Sequence, residues 1–476
     1  MVHALLPFVA ILLRPDTGNV PLNDLGAGFY KGFQGGLYPG GSNVVPASHM
    51  SAALALAAGI VPRDAAGMPN AQTGKIGMIT IGMSNTTQES APFERNEDLN
   101  GYRNARVEIL NCAVGGQTAH IIADPSANYW TIVAQRIAAM GLNANQIQIA
   151  WLKEANANPP NDFPGHAQVL RDDLIQVVRN LRQKFPNLTL CYVSSRIYGG
   201  YANTQLNPEP QAYESGFSVK WLVEAQISGD SRLSFANPPN APLLLWGPYM
   251  WADGLTPRSD GLIWMANEFE SDGTHPSTLG ENHVADLLTQ FFSTDSTCQV
   301  WFKPQPGFRL TAVNAAADAS VRSDQPNANF GSADSLITAE GSYSARTYLK
   351  FDLRGIVGQI VSAKLSLRVG NGGGGILGLV NNSNWQENTI TWNNAPPIDG
   401  GTITQIPMAS RESTICAETA AAVNADSDKI VTFALAAPSG SQTYVSKEGG
   451  QPPRLVLIVK TKFPAKSGGG VPPPSS

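Results

Sequence analysis

The sequence contains little charge, few cysteines and no long apolar run. Asp, Glu, Lys and Arg make up only 14% of its 476 residues, against about 25% in an average soluble domain. With 32 basic and 37 acidic residues the formal net charge is -5, so the basic surface that nucleic-acid binders present to phosphates is missing. No apolar run approaches the roughly 18 residues of a membrane-spanning helix. We therefore expect neither a nucleic-acid partner nor insertion into a membrane.

The four cysteines are scattered, without a Cys-x-x-Cys pair or Cys/His spacing. This argues against a zinc site and against a disulfide framework, and leaves one disulfide open. In contrast, the sequence is rich in Gly (46) and Pro (34), which predicts many uncharged loops. Low charge and long loops favour a protein that is secreted or lies in the periplasm or on the cell surface.

The length predicts two or three folding units at roughly 150 residues each. An apolar stretch at Ala4 to Leu13 is interpreted either as the remnant of a leader or as a buried first strand. The end of the chain, rich in Gly, Pro and Ser, has the composition of a linker. We expect an N-terminal segment or leader remnant at 1–20, an α/β domain at 21–297, a linker at 298–310, a β domain at 311–462 and a tail at 463–476.

Five short runs rich in Val, Ile and Leu predict buried parallel strands, because they are nearly continuous rather than alternating. A helix between the third and fourth runs and a closing helix, about Leu279 to Phe292, complete a three-layer α/β/α sandwich with a parallel sheet. After about Phe308 short alternating strands take over, which predicts an all-β jelly-roll domain. The predicted parallel strands are Ile76–Ile81, Val107–Leu110, Ile147–Trp151, Leu188–Val193 and Leu243–Trp246.

Polar side chains follow the predicted strands, where reactive groups collect in open α/β sheets. Ser84 follows the first strand and Gly115 the second, Asn156 follows the third, and Asp272 stands three residues before His275 near the closing helix. Ester hydrolysis needs a hydroxyl nucleophile, a base and a carboxylate that orients the base. Ser84, His275 and Asp272 supply these types, and the backbone N–H groups of Ser84 and Gly115 with the Asn156 amide are candidate oxyanion donors. Each also has a structural alternative; Ser84, for example, suits a helix N-cap.

The joint order of these residues resembles the SGNH (GDSL-type) hydrolase superfamily over about Lys75 to Phe292. Gly82-Met83-Ser84 is similar to the family's first block, Gly115 to its second and Asp272 to His275 to its last. The resemblance implies Ser84 as nucleophile, His275 as base and Asp272 as orienting carboxylate. The sequence departs from the family at Met83, where the family has Asp, and in lacking a Gly-x-Asn-Asp block. The oxyanion amide is therefore assigned to Asn156, with Asn158 as the alternative.

An arginine and several aromatic residues follow the fourth and fifth strands. A guanidinium and flat rings suit a carboxylated or sugar substrate, while core and loop packing is the alternative. The predicted substrate-binding residues are Arg196, Tyr198, Trp246, Tyr249 and Trp251.

The β domain resembles the DNRLRE-type carbohydrate-binding jelly rolls over about Thr311 to Lys460. The resemblance is carried by segments such as Ala317 to Arg322, Arg346 to Leu353 and Ile390 to Pro396. It implies a polysaccharide partner and often a bound calcium, with Asp318 as a candidate ligand. We expect Trp385 and Trp392 to be core residues. The predicted glycan contacts are Arg322, Arg346 and Lys350.

Together these features predict a secreted serine esterase that removes acyl groups, O-acetyl first among them, from a polysaccharide, without a cofactor for catalysis. One alternative is a glycan-binding protein without activity. The other is a glycoside hydrolase or lyase, whose paired carboxylates would lie about 5 to 9.5 Å apart. The candidate carboxylates for that alternative are Glu154, Glu214, Glu268 and Glu270.

Overall fold

A computed structural model describes residues 16–95, 103–236, 238–304, 308–409 and 414–460. Most of the predicted N-terminal segment, including Ala4 to Leu13, and the predicted tail at 463–476 lie outside the described residues. All four cysteines are free thiols: Cys112, Cys191 and Cys298 are buried and Cys416 is partly buried.

The first part of the chain alternates strands and helices. Its elements are α1 (Leu22–Leu25), β1 (Phe29–Tyr30), β2 (Phe33–Gln34), α2 (Ala47–Ala58), β3 (Ile76–Gly82), α3 (Ser84–Arg95), β4 (Val107–Asn111), α4 (Ala119–Ile122), α5 (Asn128–Ala139), β5 (Ile147–Lys153), α6 (Gly165–Lys184), β6 (Leu190–Ser194), α7 (Gln211–Ile227), β7 (Leu243–Trp246), α8 (Thr278–Thr294) and α9 (Gln299–Phe302).

Strands β3 to β7 form one parallel sheet in the order β4-β3-β5-β6-β7. Every residue of these strands is buried, which explains their continuous apolar runs. Because the chain reverses direction across the sheet after β4, right-handed crossovers place helices on both faces. On one face α3 packs against α8, and on the other α6 packs against α7. The predicted parallel α/β fold is confirmed.

The second part is antiparallel. Its longest strand, β12, pairs with β15 and β18 along most of its length and with β17 near its end, so it links two groups of strands. This confirms the predicted all-β second part. The elements are β8 (Phe308–Asn314), β9 (Ala317–Arg322), β10 (Ser335–Glu340), β11 (Ala345–Asp352), β12 (Gln359–Asn371), β13 (Gly375–Val380), β14 (Thr402–Ile406), β15 (Thr414–Glu418), α10 (Ala420–Ala425), β16 (Ile430–Ala436), β17 (Gly440–Val445) and β18 (Arg454–Lys460).

Structured elements occupy the stretch predicted as a linker, 298–310. Helix α9 lies within it, and its Trp301 and Phe302 belong to the core of the α/β part. Strand β8 begins at Phe308. The described residues of this stretch therefore belong largely to the two folded parts.

The two parts also share buried charges. Glu108 of β4 accepts hydrogen bonds from Lys75 Nζ at 2.7 Å and from Lys364 Nζ of β12 at 3.1 Å. Burial raises the pKa of Glu108, but the two lysines outweigh it and hold the pKa at about 2. Beside this cluster Ala105 packs against Leu310 and Ile458. The β part is thus docked on the α/β part through both apolar and ionic contacts.

Candidate active site

Ser84 is the first residue of α3, and a single residue, Met83, separates it from the end of β3. The close approach of strand and helix requires Gly82, because a Cβ there would lie 2.2 Å from the Lys153 carbonyl oxygen and 2.3 Å from Thr86 Oγ1. As the start of a twelve-residue helix, Ser84 sits where backbone N–H groups are unpaired and the helix dipole favours negative charge. The serine hydroxyl is therefore placed at an anion-stabilising position.

Gly115 lies in the loop after β4, next to Ser84. A Cβ built on Gly115 would be 3.7 Å from the Cβ of Ser84. The following Gly116 has a φ of +76°, a left-handed conformation that favours glycine. This turn brings the backbone of the loop to the side of the Ser84 hydroxyl.

His275 and Asp272 complete a hydrogen-bonded chain with Ser84. The Ser84 hydroxyl oxygen lies 2.8 Å from His275 Nε2, and His275 Nδ1 lies 2.6 Å from Asp272 Oδ2. The other carboxylate oxygen of Asp272 accepts the N–H groups of Thr274 and His275, each at 2.9 Å. Burial raises the pKa of Asp272, but these hydrogen bonds outweigh it and lower the pKa below its usual value. The structure therefore brings together the three residues predicted as nucleophile, base and orienting carboxylate.

Neighbouring segments fix the loop that carries Asp272 and His275. Asn85 Nδ2 donates to the Thr274 carbonyl at 2.9 Å, so α3 holds the loop directly. From the other side Asn203 N–H donates to the Asp272 carbonyl at 3.0 Å. The geometry between the serine and the histidine is thus set by backbone contacts as well as by the side chains themselves.

A buried ion pair lies beneath α3. Lys153 Nζ donates to both carboxylate oxygens of Glu89, each at 2.7 Å, and both side chains are almost fully buried. Glu154 is not the partner of Lys153: its Oε1 accepts the Ala155 N–H at 2.9 Å, its Oε2 has no partner in the described structure, and burial raises its pKa well above the usual value. The ammonium of Lys153 at the end of β5 is therefore paired with the Glu89 carboxylate of α3.

An open cavity of about 390 Å³ surrounds the triad. Three of its lining residues were not predicted from the sequence: Ser271, and Thr87 and Gln88, which stand three and four positions after Ser84 and so share its helix face. Another part of the wall, Glu270 and Ser271, immediately precedes Asp272 in the sequence. The lining residues are Ser84, Thr87, Gln88, Gly115, Glu270, Ser271, Asp272 and His275.

Asn156 is not placed to stabilise an oxyanion, contrary to the prediction. Its Nδ2 donates to Asp173 Oδ2 at 2.7 Å and its Oδ1 accepts the His120 N–H at 2.9 Å. The amide therefore tethers the start of α4 to α6. The alternative, Asn158, donates its N–H to the Leu206 carbonyl and does not line the cavity either.

The predicted substrate-binding residues are also wrong, because they are buried. Trp246 Nε1 donates to the Leu37 carbonyl at 2.6 Å and Trp251 Nε1 donates to Glu209 Oε1 at 2.7 Å. These rings hold the segment before α2 and the loop before α7 against the sheet. Core and loop packing, the alternative stated for these residues, therefore explains them. The exposed fractions are 4% for Arg196, 1% for Tyr198, 3% for Trp246, 6% for Tyr249 and 0% for Trp251.

The four carboxylates considered for a glycosidase do not line the cavity together. Glu214 is buried and binds Tyr30, Lys31 and His166. Glu268 is buried and binds His283. Of the four, Glu270 lines the cavity.

In the β part the predicted glycan contacts stack on aromatic rings. Arg346 lies 5.0 Å from the centre of the Trp392 ring and Lys350 lies 4.6 Å from that of Trp385. Arg322 lies over Tyr343 at 4.7 Å and pairs with an aspartate, Asp324, at 2.8 Å. As predicted, Trp385 is buried, and Trp392 packs against the same core while remaining partly exposed. These contacts hold the loop before β14 on the sheet.

Three carboxylates converge beside these stacks. Oxygens of Asp318, Glu387 and Glu448 lie within 4.8 Å of one another. Asp318 is 1% exposed, and its Oδ1 has no partner in the described structure. Lys447 Nζ pairs with Glu387 at 2.9 Å and with Glu448 at 2.6 Å. Several carboxylate oxygens with an unpartnered one among them suit a hard cation such as calcium, so these residues fit the ion that the resemblance implies.

Among the described residues no helix combines the length and the apolar character that crossing a bilayer requires. A comparison with curated proteins gives no match. Among solved structures the chain is similar to protein YXIM from Bacillus subtilis, at 14% identity over 46% of this chain, with a TM-score of 0.26. The salicylyl-acyltransferase SsfX3 from a tetracycline biosynthetic pathway gives the same identity and score over 47% of this chain. The chain spans 56% of each of these two proteins.

An extracellular lipase from Streptomyces rimosus matches at 9% identity and a TM-score of 0.23, over 45% of this chain and 99% of the lipase. Likenesses at this level carry no argument about activity. The β part is different: residues 309–459 match the model of carbohydrate-binding module family 96. This match supports the predicted carbohydrate-binding domain, while the DNRLRE assignment stays a prediction. The C-terminal part of the chain thus resembles a module that binds glycans.

Proposed function

We propose that the chain is a secreted serine esterase of the SGNH type that removes O-acetyl groups from a polysaccharide bound by its β part. The observation that carries this proposal is the hydrogen-bonded chain from Asp272 through His275 to Ser84 in the wall of an open cavity. Nucleophile, base and orienting carboxylate within hydrogen-bond reach are what acyl transfer through a covalent intermediate requires.

The proposed reaction begins with attack of Ser84 Oγ on the ester carbonyl carbon, while His275 Nε2 takes the hydroxyl proton. Asp272 holds the ring so that Nδ1 keeps its proton and Nε2 accepts. The oxyanion of the tetrahedral intermediate would receive the N–H groups of Ser84 and Gly115. The intermediate collapses, the C–O bond to the sugar breaks, and the sugar oxygen takes the proton from His275. Water then cleaves the acyl-serine by the same steps, which releases the acid.

The polar lining of the cavity supports a substrate with a short acyl group. Its lining residues are polar or glycine, and no apolar side chain lines it among the described residues. A long acyl chain would find no aliphatic or aromatic residue there to pack against, whereas an acetyl group on a hydrated sugar loses little. This favours a carbohydrate esterase over a lipase.

The β part supports a polymeric substrate. A module that holds the polysaccharide raises the concentration of ester groups near Ser84 without a new contact in the cavity. Since the two parts are docked through Glu108 and Lys364, the distance between the bound polymer and the serine would be set by the fold rather than by a flexible tether. Such a substrate lies outside the cell, in accord with the proposed secretion.

The test measures acetate release from p-nitrophenyl acetate and from a panel of acetylated polysaccharides by the wild type, Ser84→Ala and Ser231→Ala. Ser231 is exposed and outside the cavity, so Ser231→Ala should behave as the wild type. Ser84→Ala should lose nearly all activity, by about 10⁴-fold or more. Full activity of Ser84→Ala would refute the proposed nucleophile. No release by any variant would leave a glycan-binding protein without esterase activity.

A further inference from the structure

The charged side chains that line the cavity are carboxylates. Two carboxylates, Glu270 and Asp272, line the cavity, and no Lys or Arg lines it among the described residues. Asp272 is committed to His275 and to two backbone N–H groups. Glu270 is different: it is exposed, and within the described chain its carboxylate forms no hydrogen bond or ion pair. Its negative charge is therefore available to whatever enters the cavity.

The nearest cations do not offset this charge. Lys153 is 2% exposed and is neutralised by both oxygens of Glu89. Arg196 is 4% exposed, and its charge interacts with buried or committed carboxylates, among them Glu89, Glu154 and Asp272. Both cations lie behind the wall and have their own counter-charges. Away from the N-terminus of α3 at Ser84, whose N–H groups favour an anion, a ligand in the cavity would therefore meet a negative surface.

The position of Glu270 is fixed relative to the reacting atoms. Its backbone N–H donates to the His275 carbonyl at 2.8 Å, and its carbonyl accepts the Gly273 N–H at 2.8 Å. The carboxylate thus stands on the same short turn as the base. We propose, on the basis of the function proposed above, that Glu270 determines specificity: it makes the site favour esters on neutral or amino-bearing sugars and disfavour esters on uronic acids.

The expected effect is modest because Glu270 is exposed to water. One charge at about 4 Å in water changes an equilibrium by about fivefold, and salt at 1 M, with a Debye length of about 3 Å, removes most of the effect. The preference should therefore be about fivefold per substrate charge at low salt and should become much smaller at 1 M salt.

The experiment compares three aryl acetates that differ in charge: 4-acetoxybenzoate, 4-nitrophenyl acetate and 4-acetoxyphenyltrimethylammonium. Because their leaving groups differ, each rate is divided by the same rate in Glu270→Gln. In Glu270→Gln at low salt the cationic probe should lose about fivefold relative to the neutral probe and about 25-fold relative to the anionic probe. Asp286→Asn, which removes an exposed carboxylate of α8 outside the cavity, should leave the ratio unchanged. Acetylated xylan and an acetylated polyuronate extend the comparison to polymers.

A second measurement separates this inference from the proposed reaction. Benzyltrimethylammonium and benzoate are titrated into Ser84→Ala while the ring signals of His275 are followed by NMR, with and without Glu270→Gln. Preferential binding of the ammonium that disappears with Glu270→Gln supports the inference even if no ester is hydrolysed. Equal binding of both ions, or a probe ratio that Glu270→Gln does not change, would overturn it while leaving the esterase proposal intact.

Discussion

Two clusters of polar side chains, one in each part of the molecule, differ in how their charges are balanced. In the α/β part the two carboxylates that hold His275 and anchor helix α3 have their donors: Asp272 accepts three hydrogen bonds, and Glu89 is paired with Lys153. In the β part three carboxylates lie together, the ammonium of Lys447 pairs with Glu387 and Glu448, and Asp318 Oδ1 has no partner in the described structure. The first cluster is complete without a bound ion, whereas the second has an excess of negative charge.

This difference in charge balance favours catalysis at the cluster of the α/β part and ion binding at the cluster of the β part. A complete cluster holds its groups in one geometry before the substrate arrives, which is what stabilisation of a transition state requires. An excess of buried carboxylates is unfavourable until a cation or a proton neutralises it. Burial and the nearby Glu448 and Glu387 accordingly raise the pKa of Asp318 to about 7. We therefore expect the loss of a hydrogen bond in the α/β cluster to lower activity. We expect binding of an ion at the β cluster to raise the free energy of unfolding.

The largest expected effect comes from changing the orienting carboxylate. In Asp272→Asn the amide nitrogen would face His275 Nδ1 and force the tautomer whose Nε2 carries the proton, so that the ring cannot accept the Ser84 proton. The rate constant for hydrolysis of p-nitrophenyl acetate should fall by about 10⁴-fold. In the double variant with Ser84→Ala the loss should be no greater than in Ser84→Ala alone, because residues of one unit are not additive. A loss below tenfold would show that the chain of hydrogen bonds is not used.

The proximity of Ser84 and Gly115 was predictable because parallel strands end at one edge of a sheet. Ser84 and Gly115 follow neighbouring strands, and the apolar runs that place those strands are visible without a structure. Thr87 and Gln88 were within reach of the same reasoning, since they share the helix face of Ser84. What was predictable is thus the set of residues whose position follows from the end of a strand or the turn of a helix.

The wrong assignments concern the direction of side chains. Asn156 follows a strand as predicted, but Asp173 on the facing helix α6 draws its amide away from the cavity. Trp246 and Trp251 bond to Leu37 and Glu209, which are distant in sequence. No local pattern shows that a remote segment covers these rings. Such contacts arise only in the folded chain.

The buried ion pairs of Glu108 with Lys75 and Lys364 test whether paired charges stabilise the contact between the two parts. The lysines Lys75 and Lys364 lower the pKa of Glu108 from 4.5 to about 2. Because the folded state then binds the proton less readily than the unfolded state, the contribution is present above pH 4.5 and is lost as the pH falls towards 2. The free energy of unfolding should drop by about 3 kcal/mol across this window on account of Glu108.

Urea unfolding of the wild type and of Glu108→Gln between pH 5 and pH 2.5 measures this contribution. The difference between the two proteins should shrink as the pH falls, because the variant has no carboxyl to protonate at this position. Glu340→Gln, at an exposed carboxylate of the β part, serves as the control, and its difference from the wild type should stay nearly constant. Parallel curves for the wild type and Glu108→Gln would mean that the ion pairs do not stabilise the contact between the two parts.

The smallest expected effect is the response of the β cluster to calcium. An ion bound by Asp318, Glu387 and Glu448 would join β9 to two loops and compete with the ammonium of Lys447, which pairs with Glu387 and Glu448. At a calcium concentration one hundred times the Kd the free energy of unfolding should rise by about 2.7 kcal/mol, which corresponds to about 5 °C in Tm. Thermal unfolding with calcium, magnesium or EDTA measures this shift.

Asp318→Asn should abolish the calcium shift, whereas Lys447→Met should enlarge it by removing the competing ammonium. Both changes leave Ser84, His275 and Asp272 untouched, so hydrolysis of p-nitrophenyl acetate should not depend on calcium in either variant. A calcium shift that survives Asp318→Asn would place the ion elsewhere. A wild type with equal Tm in calcium and EDTA would mean that Lys447 alone balances the cluster, and the contrast between the complete and the incomplete cluster would then no longer hold.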